Sequence, residues 1–270
     1  MNGAILIYGA TGYTGKLIAK TAAGQGARPI SIRADRCRRA KVEAAFRADG
    51  DLSLQLNADL SRPAAVDSEA LAWVASPMAG VVRRLLERDG DEVARATSLV
   101  RYAPGSVFSP HTHGAGEEFL VLEGVFSDKT GDFPAGFYIR NPPGSRHTPS
   151  SAPGAVIFVK LRKMLPQEAA PVRLDTRDPA LWRDLGLGRQ EALLFEAPWE
   201  RVVMLRLALG HAGSAETAPR GAEFFVVEGD LAMDRTTYRS GAWLRLPPGS
   251  SLALGSRGGA LLYCKTGHLG

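Results

Sequence analysis

The chain has 270 residues, 45% of them hydrophobic and 23% charged. That is enough for one large or two small globular domains, each with its own core. The net charge of +5 is local: residues 1–57 hold nine Lys/Arg against four Asp/Glu, and residues 58–270 balance to zero, so the main body lacks the phosphate-neutralising surface of a nucleic-acid binder.

Residues 4–8, Ala-Ile-Leu-Ile-Tyr, predict a buried strand. No secretory signal and no run of about 18 apolar residues follows, so a cytoplasmic protein without a membrane helix is expected. The distant cysteines Cys37 and Cys264 argue against a disulfide framework. Gly9, Gly12 and Gly15 then lead into a helical pattern and a second strand near Pro29. Such glycines let a backbone approach a pyrophosphate at a helix N-terminus. The words GATGYTG resemble the start of saccharopine-dehydrogenase-like Rossmann proteins. That resemblance implies an NADP site at Gly9, Gly12 and Gly15, with Arg33 or Arg36 on the phosphate. The doubly wound sheet such a site needs is missing: the pattern stops near residue 35, and 36–50 read as a polar helix. Residues 1–52 are therefore expected to be a βαβ fragment without a function, and an NADP-binding reductase is the weakest reading.

Beyond residue 52 the pattern is β. Leu54-Gln-Leu predicts an edge strand, Trp73–Met78 an extended segment, and Gly80–Gly90 a strand closed by a hairpin signal. Strands follow at 97–102, around the histidines, at 119–124 with Glu123-Gly124 as a turn, at 136–140 and at 156–161. A loop over 163–180 separates this set from a second one. The second set repeats the first at a constant offset of 105 residues: Glu123-Gly124 recurs as Glu228-Gly229, Arg140 as Arg245, Pro142-Pro143-Gly144-Ser145 as Pro247-Pro248-Gly249-Ser250, and Lys160 as Lys265. A register kept through two turns of each kind indicates a duplicated antiparallel barrel.

The chemistry sits at His111-Thr112-His113, followed by Glu117 and, beyond the Pro-Pro-Gly turn, by His147. Three imidazoles and a carboxylate are a ligand set for one divalent transition metal. The repeat replaces them with Glu216, Ala218, Ala222 and Leu252, so the ligands are separable from the fold. Glu118 survives as Glu223 in the half without a site, which selects Glu117 as ligand and Glu118 as an outward residue. Tyr102, Tyr138, Arg140 and Lys160 are pocket-lining candidates, though Arg140 and Lys160 recur in the metal-free half and read as structural. Arg146 is a candidate for an anionic ligand at the pocket mouth. His211 and His268 read as exposed histidines.

The spacings Gly-x5-His-x-His-x3-Glu-x6-Gly over 105–124 and Gly-x5-Pro-x-Gly-x2-His over 136–147 match the two cupin motifs. The departure is Ser151 in place of a frequent asparagine. The stretches SPMAGVVRRLLERDGDEVARATSLVRYAPG and GEEFLVLEGVFSDKTGDFPAGFYIRNPPGSRHTP resemble the cupin-like domain of ChrR anti-sigma factors and their stand-alone relatives. The resemblance implies a mainly β bicupin, two jelly-roll-like barrels at 53–168 and 169–270, with His111, His113, Glu117 and His147 on zinc, iron or manganese. The His-x3-Cys-x2-Cys zinc signature of the anti-sigma domain is absent, so sigma-factor binding is not carried over. The expected partner is a small molecule or oxidant, with no nucleic acid and no membrane; the second barrel is a candidate dimerising element. Two functions fit: small-molecule or oxidant sensing, and a metal-dependent dioxygenase acting on a small diketone or hydroxy-ketone.

Overall fold

The computed structural model describes residues 42–46, 52–91 and 93–269. The glycine motif, Arg33, Arg36 and Cys37 lie outside them. The polar helix expected over 36–50 gives way, at Val42–Phe46, to a strand paired antiparallel with Leu52–Leu56. A strand partner decides here: Val42 and Phe46 suit a ladder, and helix propensity is a weak prior beside one.

The described residues divide into two compact units, one within 42–58, 72–134 and 141–170, the other within 59–71, 135–140 and 171–269. In the first, antiparallel strands run in the order Val42–Phe46, Leu52–Leu56, Val81–Asp89, Arg95–Tyr102, Ala155–Leu161, Glu117–Asp128. A short ladder pairs His111–Thr112 with Arg146–His147. In the second unit the order is Trp182–Gly186, Arg189–Ala197, Glu200–Leu207, Ala260–Thr266, Ala222–Met233, Ala242–Leu246, Ala64–Asp67. Its matching short ladder pairs Glu216–Ala218 with Ser250–Leu252. The fold is thus nearly all antiparallel β, two jelly-roll-like barrels from one duplicated sequence. The segment 163–180, expected to be loop, contains the strand Val172–Asp175, which pairs with Phe137–Arg140 inside the second unit.

Glu123-Gly124 and Glu228-Gly229 are not turns. Each lies inside a 12-residue strand, where the register shifts against the neighbouring strand. Such a bulge bends a strand without ending it. Gly124 and Gly229 have φ of 69° and 75°. A Cβ on either would lie 1.9 Å from the carbonyl oxygen of Gly154 or Gly259, so only glycine fits.

The interior of the second barrel is apolar throughout. Val203, Leu205, Leu207, Ala218, Ala222, Phe224, Met233 and Leu252 are among its packed residues. Buried charge lies elsewhere in that unit: Glu200 pairs with both Arg140 and Lys265.

Candidate metal centre

The 105-residue offset carries the second barrel's interior onto the first. Val203, Ala218, Ala222, Met233 and Leu252 map to Ser98, His113, Glu117, Asp128 and His147. The first barrel is therefore polar at interior positions where its twin is a dry core.

The repeated proline turn places the candidate ligands. The backbone N–H of His113 donates to the Ser145 carbonyl (3.0 Å), and the His113 carbonyl accepts from Gly144 N–H (2.7 Å). The second barrel repeats the arrangement, with Gly249 N–H donating to the Ala218 carbonyl at 2.9 Å and Ala218 paired with Ser250 in its short ladder, so the turn is a frame and the side chains differ. The strand expected around the histidines is short. Only His111–Thr112 is strand, and the cross-ladder pair His111↔His147 brings those two rings together.

Three rings meet at centroid separations of 4.7, 4.8 and 4.9 Å. His111, His113 and His147 can each point a ring nitrogen so that all three lie within 4.8 Å of one another. The Nε2 atoms of His113 and His147 are 2.9 Å apart, and Glu117 Oε2 is 3.4 and 3.6 Å from them. Ligands about 2.1 Å from one ion stand roughly 3.0–3.4 Å from each other, so His113, His147 and Glu117 are spaced for a single metal, with His111 within 4.8 Å of the other two rings' nitrogens.

The outer contacts support that orientation. His111 Nδ1 lies 2.9 Å from the Ser109 carbonyl, and His147 Nδ1 lies 3.1 Å from Asp128 Oδ2. A carbonyl and a carboxylate only accept, so both Nδ1 atoms carry the proton and each neutral ring presents its lone pair at Nε2, that of His147 toward His113 Nε2. Asn141 Nδ2 donates to Glu117 Oε2 at 3.0 Å. Burial lowers the pKa of His113; Glu117 opposes the shift, and the two neighbouring rings reinforce it. Burial works to raise the pKa of Asp128, but hydrogen bonds from His147 and Thr130 outweigh it and hold it at about 2. One wall is aromatic: Phe108 packs on His111 at 5.1 Å, Phe126 lies 5.9 Å from His147, and Tyr102 lies between Phe108 and Phe126. Burial, with Glu117 nearby, pushes the Tyr102 phenol well above its usual value.

Of the other candidates, Tyr138 and Arg140 belong to the Glu200 group instead, with Arg140 Nη1 donating to the Tyr138 hydroxyl at 3.4 Å. Lys160 is buried and donates to Thr97 at 3.2 Å. Arg146 is exposed. Glu118 does not face water: it is buried, opposite the buried Lys160 in the strand register. His268 is no exposed tail residue either; its Nε2 meets Glu223 Oε2 at 3.0 Å, with Trp243 Nε1 donating to the other oxygen. Sequence reasoning missed Asp128 and Asn141. Their signal was the same repeat, which replaces them with Met233 and Leu246.

Fold and site together define a class: a cupin-like β fold of two barrels, with a three-histidine cluster in one of them. More narrowly, residues 61–165 match the family model described as the ChrR cupin-like domain. Among solved structures, the chain is similar to a "putative dioxygenase" from Nostoc punctiforme (TM-score 0.64, 16% identity, 77% of this chain and 84% of that one). It is also similar to YlbA from Escherichia coli (0.60, 17%, 77% and 92%), and to the bacterial pirin YhhW in complex with nickel(II), from the same organism (0.56, 14%, 76% and 98%). No curated protein matches. Among the described residues no helix is long and apolar enough to cross a membrane.

Proposed function

We propose that the first barrel binds one divalent transition metal through His111, His113, Glu117 and His147 and presents it to a small oxygen-bearing molecule. The observation that carries this is the convergence of buried donors, with His113 Nε2, His147 Nε2 and Glu117 Oε2 within 3.6 Å of one another. Uncompensated, such a group would be costly to bury. When bound, such a metal supplies a Lewis acid with open positions, or, as iron(II), a centre for dioxygen. Zinc, iron and manganese suit the donor set. The nickel complex of the pirin relative adds nickel to the metals to be tried. The chain's own part is to hold the four donors, to keep water from the aromatic wall at Phe108, Tyr102 and Phe126, and to orient a small ligand against it.

A binding or sensing role needs nothing more. A second reading, oxidative cleavage of a small diketone or hydroxy-ketone, is favoured by the carboxylate ligand beside an aromatic wall and by the Nostoc neighbour's name. The test is metal analysis of wild type and His113→Ala after chelation and reloading with zinc, manganese, nickel or, anaerobically, iron(II). One equivalent in wild type and little in the variant is expected; equal stoichiometric metal in both sinks the site. Oxygen uptake by the iron-loaded protein with a panel of diketones and hydroxyacetophenones separates the readings, since no uptake leaves the binding role alone.

A further inference from the structure

The second barrel is an internal control for the first. Positions alike in both halves serve the fold, and those polar only in the first serve its site. Asp128 falls in the second group. It stands where the twin barrel has Met233, a member of the apolar core.

Asp128 has two visible jobs. Its Oδ1 accepts from Thr130 N (2.7 Å) and Thr130 Oγ1 (2.5 Å), at the turn joining Glu117–Asp128 to Gly131–Pro134. Its Oδ2 faces His147 Nδ1 at 3.1 Å, with both side chains buried. The turn alone does not require the carboxylate: the equivalent hairpin, Ala222–Met233 with Thr236–Arg239, forms with methionine at that place. What the second barrel lacks is a histidine to orient, since Leu252 replaces His147.

We infer that Asp128 is a positioning residue for His147, holding the imidazole proton on Nδ1 so that the Nε2 lone pair faces His113 and Glu117. The consequence for metal affinity rests on the proposed function; the tautomer itself does not. A fixed ring orientation and tautomer removes the need to reorganise when the ligand engages, and loss of such a partner typically costs about 10–100-fold in metal affinity.

The decisive variant is Asp128→Asn. Its oxygen can still serve Thr130, but its amide presents a donor to His147, which must then accept at Nδ1 and carry its proton on Nε2. The tautomer is read by long-range nitrogen–proton NMR of the metal-free protein at pH about 8, above the usual histidine range. Wild type is expected to carry the proton on Nδ1 and Asp128→Asn on Nε2, with zinc affinity in the variant reduced about 10–100-fold. Thr130→Val, which removes only the hairpin contact, should leave the proton on Nδ1. A wild-type proton on Nε2, an unchanged tautomer in Asp128→Asn, or an equal shift in Thr130→Val overturns the assignment. Should Asp128→Asn fail to fold, the wild-type tautomer decides. A wild type that binds no zinc yet shows the expected tautomers refutes the metal reading and upholds the positioning role.

Discussion

At the scale of single residues, burial separates charges that serve the fold from those that serve the site. Glu200 is buried between Arg140 and Lys265, which are 1% and 0% exposed. Glu200→Ala would remove the carboxylate that both buried cations face. The expected loss is about 3–5 kcal/mol, read from chemical denaturation of the variant beside wild type; a loss below about 1 kcal/mol would mean that water or a rearranged partner reaches these cations. The recurrence of Arg140 as Arg245 and Lys160 as Lys265 marks such residues in the sequence as structural. The sequence also carries the candidate ligands, because their spacing is set by one turn and one strand. It hides Asp128 and the seat of His268, because the groups they meet lie 19 and 45 positions away and no local pattern encodes that distance.

At the scale of elements, the Glu-Gly pairs look like turns because glycine near a charged residue is ordinary turn chemistry. In the structure they form bulges, which let one strand bend around the barrel and carry both Glu117 and Asp128 to the same site. Glycine's role there differs from its role at Gly105, and substitution separates the two. Gly105 has φ of 74°, and a Cβ added there would meet nothing within 4 Å, whereas a Cβ on Gly124 would meet backbone at 1.9 Å. Gly105→Ala should cost only the left-handed penalty of about 1–2 kcal/mol. Gly124→Ala should cost clearly more, and the matching Gly229→Ala about as much as Gly124→Ala, since the obstacle in both is a carbonyl that cannot rotate aside. Thermal melts of the three variants check the ranking; Gly124→Ala no worse than Gly105→Ala would mean that the bulge yields easily.

At the scale of the whole molecule, duplication has let one scaffold carry two interiors, and metal should separate them where acid does not. Acid reaches both units: Asp128 in the first is held at about 2, and the second has lowered carboxyls of its own. Hydrogen bonds from Arg177 to Asp175, and backbone donors Arg257 and Gly258 to Asp230, lower both carboxyl pKa values. Glu191 is also lowered, its ion pairs with Arg201 and Arg183 outweighing the opposing effect of burial. A lowered carboxyl contributes stability above its unfolded pKa and loses it as pH falls through the folded one. Melting temperature should therefore drop steeply below pH about 4, and less steeply in Asp230→Asn. Metal tests the first unit. An ion held by His111, His113, Glu117 and His147 binds only the folded barrel and stabilises it by about 2.7 kcal/mol at a free concentration one hundred times its dissociation constant. The second barrel has alanine or leucine at three of the four positions and Glu216 at the other, and its core is already packed. It has nothing to gain from the ion. Hydrogen exchange with and without zinc should show added protection at 111–113, 117–128 and 144–151, where the ligands and the strands carrying them lie, and none at 189–207 or 222–266. Protection spread equally over both sets would place the ion elsewhere than among the three histidines.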